Sequence, residues 1–150
     1  MHKALRPRLL SMLMGRIVPF VGTAGVKIEE MNEDRVVATL RNKRKVRNHI
    51  RGLHAAAMTL AAETATGFVV VMNLPEDKLP LMKSLKVNFV KRATGGMKFV
   101  AELNDEQRAQ MRNEPKGAVT VKVNAKDDMG QECIRCEMIW AWVPKKRKAK

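Results

Sequence analysis

One stretch limits the possible folds of this chain more than any other. Residues 53 to about 72 run Leu53, His54, Ala55, Ala56, Ala57, Met58, Thr59, Leu60, Ala61, Ala62, Glu63, Thr64, Ala65, Thr66, Gly67, Phe68 and then valines and Met72. As a helix, twenty residues span about 30 Å. A helix that is apolar nearly all round must be buried on most sides. The rest of the chain therefore has to wrap it. Asn73, Leu74 and Pro75 end it.

The flanking sequence alternates as strands do. Residues 25–31 and 35–42 read as two strands joined by the turn Asn32, Glu33, Asp34. Residues 82–93 form a strand with Leu85, Val87 and Phe89 on one side, and Thr94, Gly95 and Gly96 turn the chain. Met97, Phe99, Ala101 and Leu103 mark the next strand, and Val119, Val121 and Val123 the one after. A hairpin turn at 127–130 leads to a last strand with Ile134, Cys136, Met138, Trp140 and Trp142 on its apolar face. Residues 19–25 are expected as a loop because they hold Pro19, Gly22 and Gly25. Residues 105–116 are expected as a polar connection with a helical turn, and residues 1–16 as an N-terminal amphipathic helix. The order α-β-β-α-β-β-β-β predicts an α+β class, with one buried helix against an antiparallel sheet. The 150 residues suit a single domain. No uninterrupted run of about 18 apolar residues occurs, so no membrane span is expected.

Charge narrows the partners. With 29 Lys+Arg against 15 Asp+Glu, the formal charge is +14. Residues 35–62 contain no acid but carry Arg41, Lys43, Arg44, Lys45, Arg47 and Arg51. A second cluster is Lys83, Lys86, Lys91 and Arg92, and the tail 145–150 is basic and reads as solvated. Such a balance fits nucleic acid, a membrane surface or a phosphate-bearing small molecule. Single-strand binders add stacking aromatics, yet aromatics are only 4% here and Tyr is absent. Nucleic acid is therefore not the expected partner. The two cysteines, Cys133 and Cys136, are too few for a disulfide scaffold. Residues three apart on a strand face opposite ways, so no metal site is expected and a cytoplasmic location is.

The start of the long helix carries two chemical tools. Its N-terminus offers free backbone N–H groups suited to an oxyanion or a phosphate. Its middle carries the Glu63 carboxylate, costly in such surroundings unless paired or functional. His54 and Glu63 are nine positions apart, on opposite sides of the helix and about 13 Å apart along it. One helix cannot aim both at one small substrate, whereas two antiparallel copies about a two-fold axis can. Glu63 could equally pair with a basic residue at a subunit contact, and His54 could merely cap or pack.

The strand order resembles the hotdog fold, a long central helix wrapped by a curved antiparallel sheet. The spacing of Asn48, His54 and Glu63 is similar to the Asn…His-Gly-Gly…Asp/Glu motif of the phenylacetate-pathway type of acyl-CoA thioesterase. Pro19, Phe20, Gly22, Gly25 and Val26 resemble the start of an uncharacterised hotdog branch. The resemblance covers roughly residues 15–143 and implies the following roles. Glu63 would be general base or nucleophile. The Ala55 N–H after His54 would supply the oxyanion hole. Asn48 would position substrate or water from the partner subunit, and Ser84 would help orient water. From their charge, rather than from the resemblance, Arg47, Arg51, Lys91 and Arg92 are expected to take the nucleotide phosphates of such a substrate. Ala55 and Ala56 stand where the family has two glycines. No cofactor is implied beyond coenzyme A as part of the substrate. Homodimers that pair into tetramers are implied too.

The leading expectation is hydrolysis of an acyl-CoA thioester at a subunit interface. The alternatives are an inactive module that binds acyl-CoA or acyl-carrier protein, and a nucleic-acid-associated hotdog scaffold.

Overall fold

In the computed structural model, which describes residues 7–146, helices α1 (Pro7–Ile17) and α2 (Pro19–Ala24) lead into a hairpin of β1 (Lys27–Met31) and β2 (Arg35–Leu40). A basic loop with a 3-10 turn at Arg44–Val46 reaches the long helix α3 (Ala55–Asn73). Then follow β3 (Lys78–Phe89), β4 (Met97–Glu102), α4 (Asp105–Asn113), β5 (Gly117–Asp127) and β6 (Ile134–Pro144). Residues 1–6 of the expected N-terminal helix and residues 147–150 of the basic tail lie outside the described residues.

The strands form one antiparallel sheet in the order β1-β2-β4-β5-β6-β3. This is the expected α+β architecture, with α3 in the hollow of the sheet. The sheet turns along β5, whose residues Gly117 to Val121 pair with β6 and whose residues Lys122 to Asp127 pair with β4. From Thr64 to Val70 every residue of α3 is buried. By length and composition α3 would also pass as a membrane span, but more than half of it is covered by the protein. The alternating residues of the sheet supply that cover: Phe99, Ala101, Val121, Ile134, Met138 and Trp142 are all buried.

Three local readings change. Residues 19–25 form a short helix rather than a loop. Pro19 occupies its first turn, where the missing N–H costs nothing, and Gly25 closes it at φ 77°. The same Pro and Gly that signal a loop are here the punctuation of a helix. Residues 105–113 make a full helix closed by a capping box: the Asn104 side chain accepts from Gln107 N–H at 2.8 Å, and the Gln107 side chain accepts from Asn104 N–H at 3.0 Å. Strand β3 starts at Lys78, ahead of the expected residue 82. As the outer strand of the sheet it tolerates Pro80.

Candidate active site

The loop before α3 is built by asparagines. Asn48 Oδ1 accepts from the backbone N–H groups of Ile50 and Gly52, both at 3.0 Å. Its Nδ2 has only a long contact of 3.5 Å to Leu53 O. Inside this turn Arg51 adopts a left-handed φ of 63°. Asn42 holds the other flank: its Nδ2 donates to Arg51 O, and its Oδ1 accepts from Arg47 Nε at 2.7 Å. The loop ends on His54, the N-cap of α3, whose Nδ1 accepts from Ala56 N–H at 3.0 Å. The Ala55 N–H has no acceptor among the described residues. It thus stays available at the positive end of the helix.

Two clefts flank that helix start. One, of about 380 Å3, is lined by Asn48, Ala55, Met58, Phe89, Lys91 and Arg92 among others. The Arg92 guanidinium donates to Ile50 O at 3.2 Å, tying the end of β3 to the loop. The other, about 230 Å3 and mostly apolar, is lined by Phe20, Ala24, Lys45, Arg47, His54, Ala56, Ala57 and Leu60.

Glu63 lies in neither cleft. It is half-buried, and its carboxylate has no hydrogen bond or ion pair among the described residues. Burial raises its pKa above the usual carboxylate range. Ala56, Thr59, Leu60 and Glu63 share one stripe at i, i+3, i+4 and i+7. None of the four is fully buried, in contrast to the sunken half of α3 that follows. Below Glu63, its carbonyl accepts from Thr66 Oγ1 at 2.9 Å, and Thr66 Oγ1 accepts from Trp140 Nε1 at 2.9 Å.

The structure thus gathers Asn48, Ala55, Lys91 and Arg92 in one cleft. It puts Arg47 with His54 in the other, and there Arg47 is already bonded to Asn42. Arg51 projects from the exposed loop tip, and Ser84 is exposed on β3 next to a bulge. Leu85, Val87 and Phe89 share a side of β3, but only Val87 packs partly against the core, whereas Leu85 and Phe89 are left open to solvent. Sequence reading missed Asn42, Lys45, Phe20 and the apolar residues Phe89 and Val90. The Arg92–Ile50 contact spans 42 positions, and no spacing rule reaches that far.

Neither cysteine offers a reactive thiolate. Cys133 is fully buried, and burial pushes the Cys136 thiol up to about 11. Among the described residues, no three His, Cys, Asp or Glu side chains are grouped to hold a metal ion.

Similar folds occur in solved structures. A protein of unknown function and probable thioesterase from Pseudomonas aeruginosa is 20% identical, with a TM-score of 0.83 over 97% of this chain and 100% of that one. A thioesterase from Haemophilus influenzae is 15% identical, with a TM-score of 0.77 over 99% and 97%. A thioesterase from Staphylococcus aureus, solved as a mutant, is 19% identical, with a TM-score of 0.71 over 85% and 100%. No curated protein matches the chain in sequence. The profile of one family matches residues 6–143, so the chain, a hotdog-fold protein, belongs to the family described as a domain of unknown function (DUF4442).

Proposed function

We propose that this protein is a thioesterase that hydrolyses an acyl-CoA thioester at a site shared by two copies of the chain. One observation carries the proposal: Glu63 is a half-buried carboxylate without a partner among the described residues, and it is the one charged residue of α3. A group so costly to desolvate fits a chemical role better than a structural one.

Glu63 is about 12 Å along α3 from Ala55, so the two need different copies to meet. The partly open stripe of Ala56, Thr59, Leu60 and Glu63 is the face that a partner helix would cover. The outer edge of β3, with Leu79, Leu81 and Leu85 exposed, is the place for a second sheet to join. In this arrangement the thioester carbonyl sits at the Ala55 N–H of one subunit, and Glu63 comes from the other. As general base, Glu63 takes a proton from water while the water oxygen attacks the carbonyl carbon. The Ala55 N–H holds the resulting oxyanion. The C–S bond then breaks and the departing thiolate takes up the proton. As nucleophile, the Glu63 carboxylate would attack the carbonyl carbon and expel the coenzyme A thiolate; water would then hydrolyse the resulting anhydride, restoring the carboxylate and supplying the thiolate's proton. Lys91 and Arg92 are the cations best placed for coenzyme A phosphates.

The test follows free thiol release from a panel of acyl-CoAs with wild type, Glu63→Ala and Glu63→Gln. Turnover by wild type with a loss of at least about a hundredfold in both variants is expected. Turnover that survives both substitutions would remove Glu63 from the chemistry. No turnover, with melting shifts induced by CoA esters, would make the protein an acyl-CoA binding module.

A further inference from the structure

The first 28 residues contain no Asp or Glu but hold Lys3, Arg6, Arg8, Arg16 and Lys27. Of these residues, those in α1 and α2 expose an unusual run of apolar side chains. Leu10 and Met14 pack inward on the core. On its solvent-facing half Leu9, Met12, Leu13 and Ile17 fall at i, i+3, i+4 and i+8, and all are exposed, Ile17 by 68%. Val18 and Phe20 extend the patch, Phe20 being 64% exposed. Arg16, also exposed, lies within the same arc. Beside the helix, Arg8, Lys27 and Arg41 line an open cleft of about 600 Å3, with Glu29 its one carboxylate.

We propose that the α1–α2 arm is a docking surface for an anionic lipid bilayer. Leu9, Met12, Leu13, Ile17 and Phe20 would enter the boundary between headgroups and acyl chains, and Arg8, Arg16 and Lys27 would lie at the phosphates. An amphipathic helix in the interface plane combines these features. Arg16 decides between the candidate occupants. A long guanidinium side chain among apolar neighbours can reach the headgroups while its stem stays in the apolar layer. A two-fold contact of α1 with a second copy would instead bury the Arg8 and Arg16 guanidinium groups with no carboxylate on α1 or α2 to pair with them. A nucleic acid offers nothing to this many exposed apolar side chains.

The patch is continuous with the candidate site, because Phe20 also lines the apolar cleft beside His54 and Leu60. Docking itself is independent of whether that site hydrolyses thioesters, and its test uses no substrate.

The full-length protein is sedimented with phosphatidylcholine vesicles, with and without phosphatidylglycerol, and its oligomeric state is measured by light scattering. Binding to the anionic vesicles alone is expected. Arg8→Gln with Arg16→Gln should raise the lipid concentration for half-binding roughly 30-fold, since each basic residue near an anionic leaflet contributes about fivefold. Met12→Ser with Ile17→Ser should abolish binding with melting temperature and oligomeric state unchanged. Three results would each overturn the proposal. They are no binding of wild type to anionic vesicles, equal binding of the Met12/Ile17 variant, or a change in oligomeric state in that variant. Should that variant fail to fold, Leu9→Ser alone gives the same reading, with weaker binding expected and undiminished binding overturning the proposal.

Discussion

Replacing Asn48 separates two roles that one side chain can play. Its Oδ1 accepts two backbone N–H bonds at 3.0 Å, which close the turn that holds Arg51 in a left-handed conformation. Its Nδ2 makes only the long contact to Leu53 O, and Asn48 is one of the residues lining the cleft at the helix start. In Asn48→Ala both N–H groups lose their acceptor. At about 0.5–1.5 kcal/mol net per bond, the loss is about 1–3 kcal/mol. The left-handed residue, itself costing about 1–2 kcal/mol, then has less to hold it in place. For a chain of this size the melting temperature should fall by about 6 °C, within a range of about 2–12 °C. Asn48→Asp keeps the acceptor and should restore most of that loss. It deletes the Nδ2 donor, so if that donor orients water or substrate, Asn48→Asp should melt like wild type yet turn over acyl-CoA more slowly. The assays are thermal unfolding by circular dichroism and kcat and KM on a cleaved acyl-CoA. An Asn48→Ala protein that melts within about 1 °C of wild type would refute the loop-building argument. Wild-type kinetics in Asn48→Asp would refute the donor role.

Four further outcomes follow from the same geometry. Burial raises the Glu63 pKa, so the base form is lost as pH falls through a value above that of an ordinary glutamate; turnover should show an acid limb there, and its position is read from a kcat–pH profile. The stability effect has the matching sign. Because the folded pKa lies above the unfolded one, the penalty on the folded state is full above the folded pKa and vanishes below the unfolded one. Glu63→Gln should therefore be more stable than wild type at pH near 8, measured by urea unfolding, and little changed near pH 3. His54→Ala removes the acceptor for Ala56 N–H and should cost about 1 kcal/mol in thermal melts, with His54→Asn recovering it. In Gly67→Ala the new Cβ would lie 2.8 Å from Trp140 Cζ2. Overpacking of about 1–3 kcal/mol then outweighs a helix-propensity gain of about 1 kcal/mol. Tryptophan fluorescence should shift, and a more stable variant with unchanged fluorescence would count against the packing account.

The sequence by itself determined the layer structure. A helix apolar on nearly every side can exist in water only under cover, and the period-two alternation of Phe99, Val121, Met138 and Trp140 supplied the cover. It also singled out Glu63, since one carboxylate in such a helix is conspicuous without coordinates. Punctuation misled where one residue type serves two purposes: Pro19 and Gly25 bound a short helix as readily as they bound a loop. Tertiary structure alone decided how the candidate site is divided. Asn48, Ala55, Lys91 and Arg92 meet because the sheet returns the end of β3 to the helix start, a contact between residues far apart in the chain. Arg47 was assigned to phosphate by its charge, but in the fold it is bonded to Asn42. The distance of Glu63 from the helix start was already legible from its spacing to His54, whereas the position of the two clefts needed the fold. Local periodicity reports which face of an element is buried, whereas which faces meet depends on long-range packing that no short window of sequence encodes.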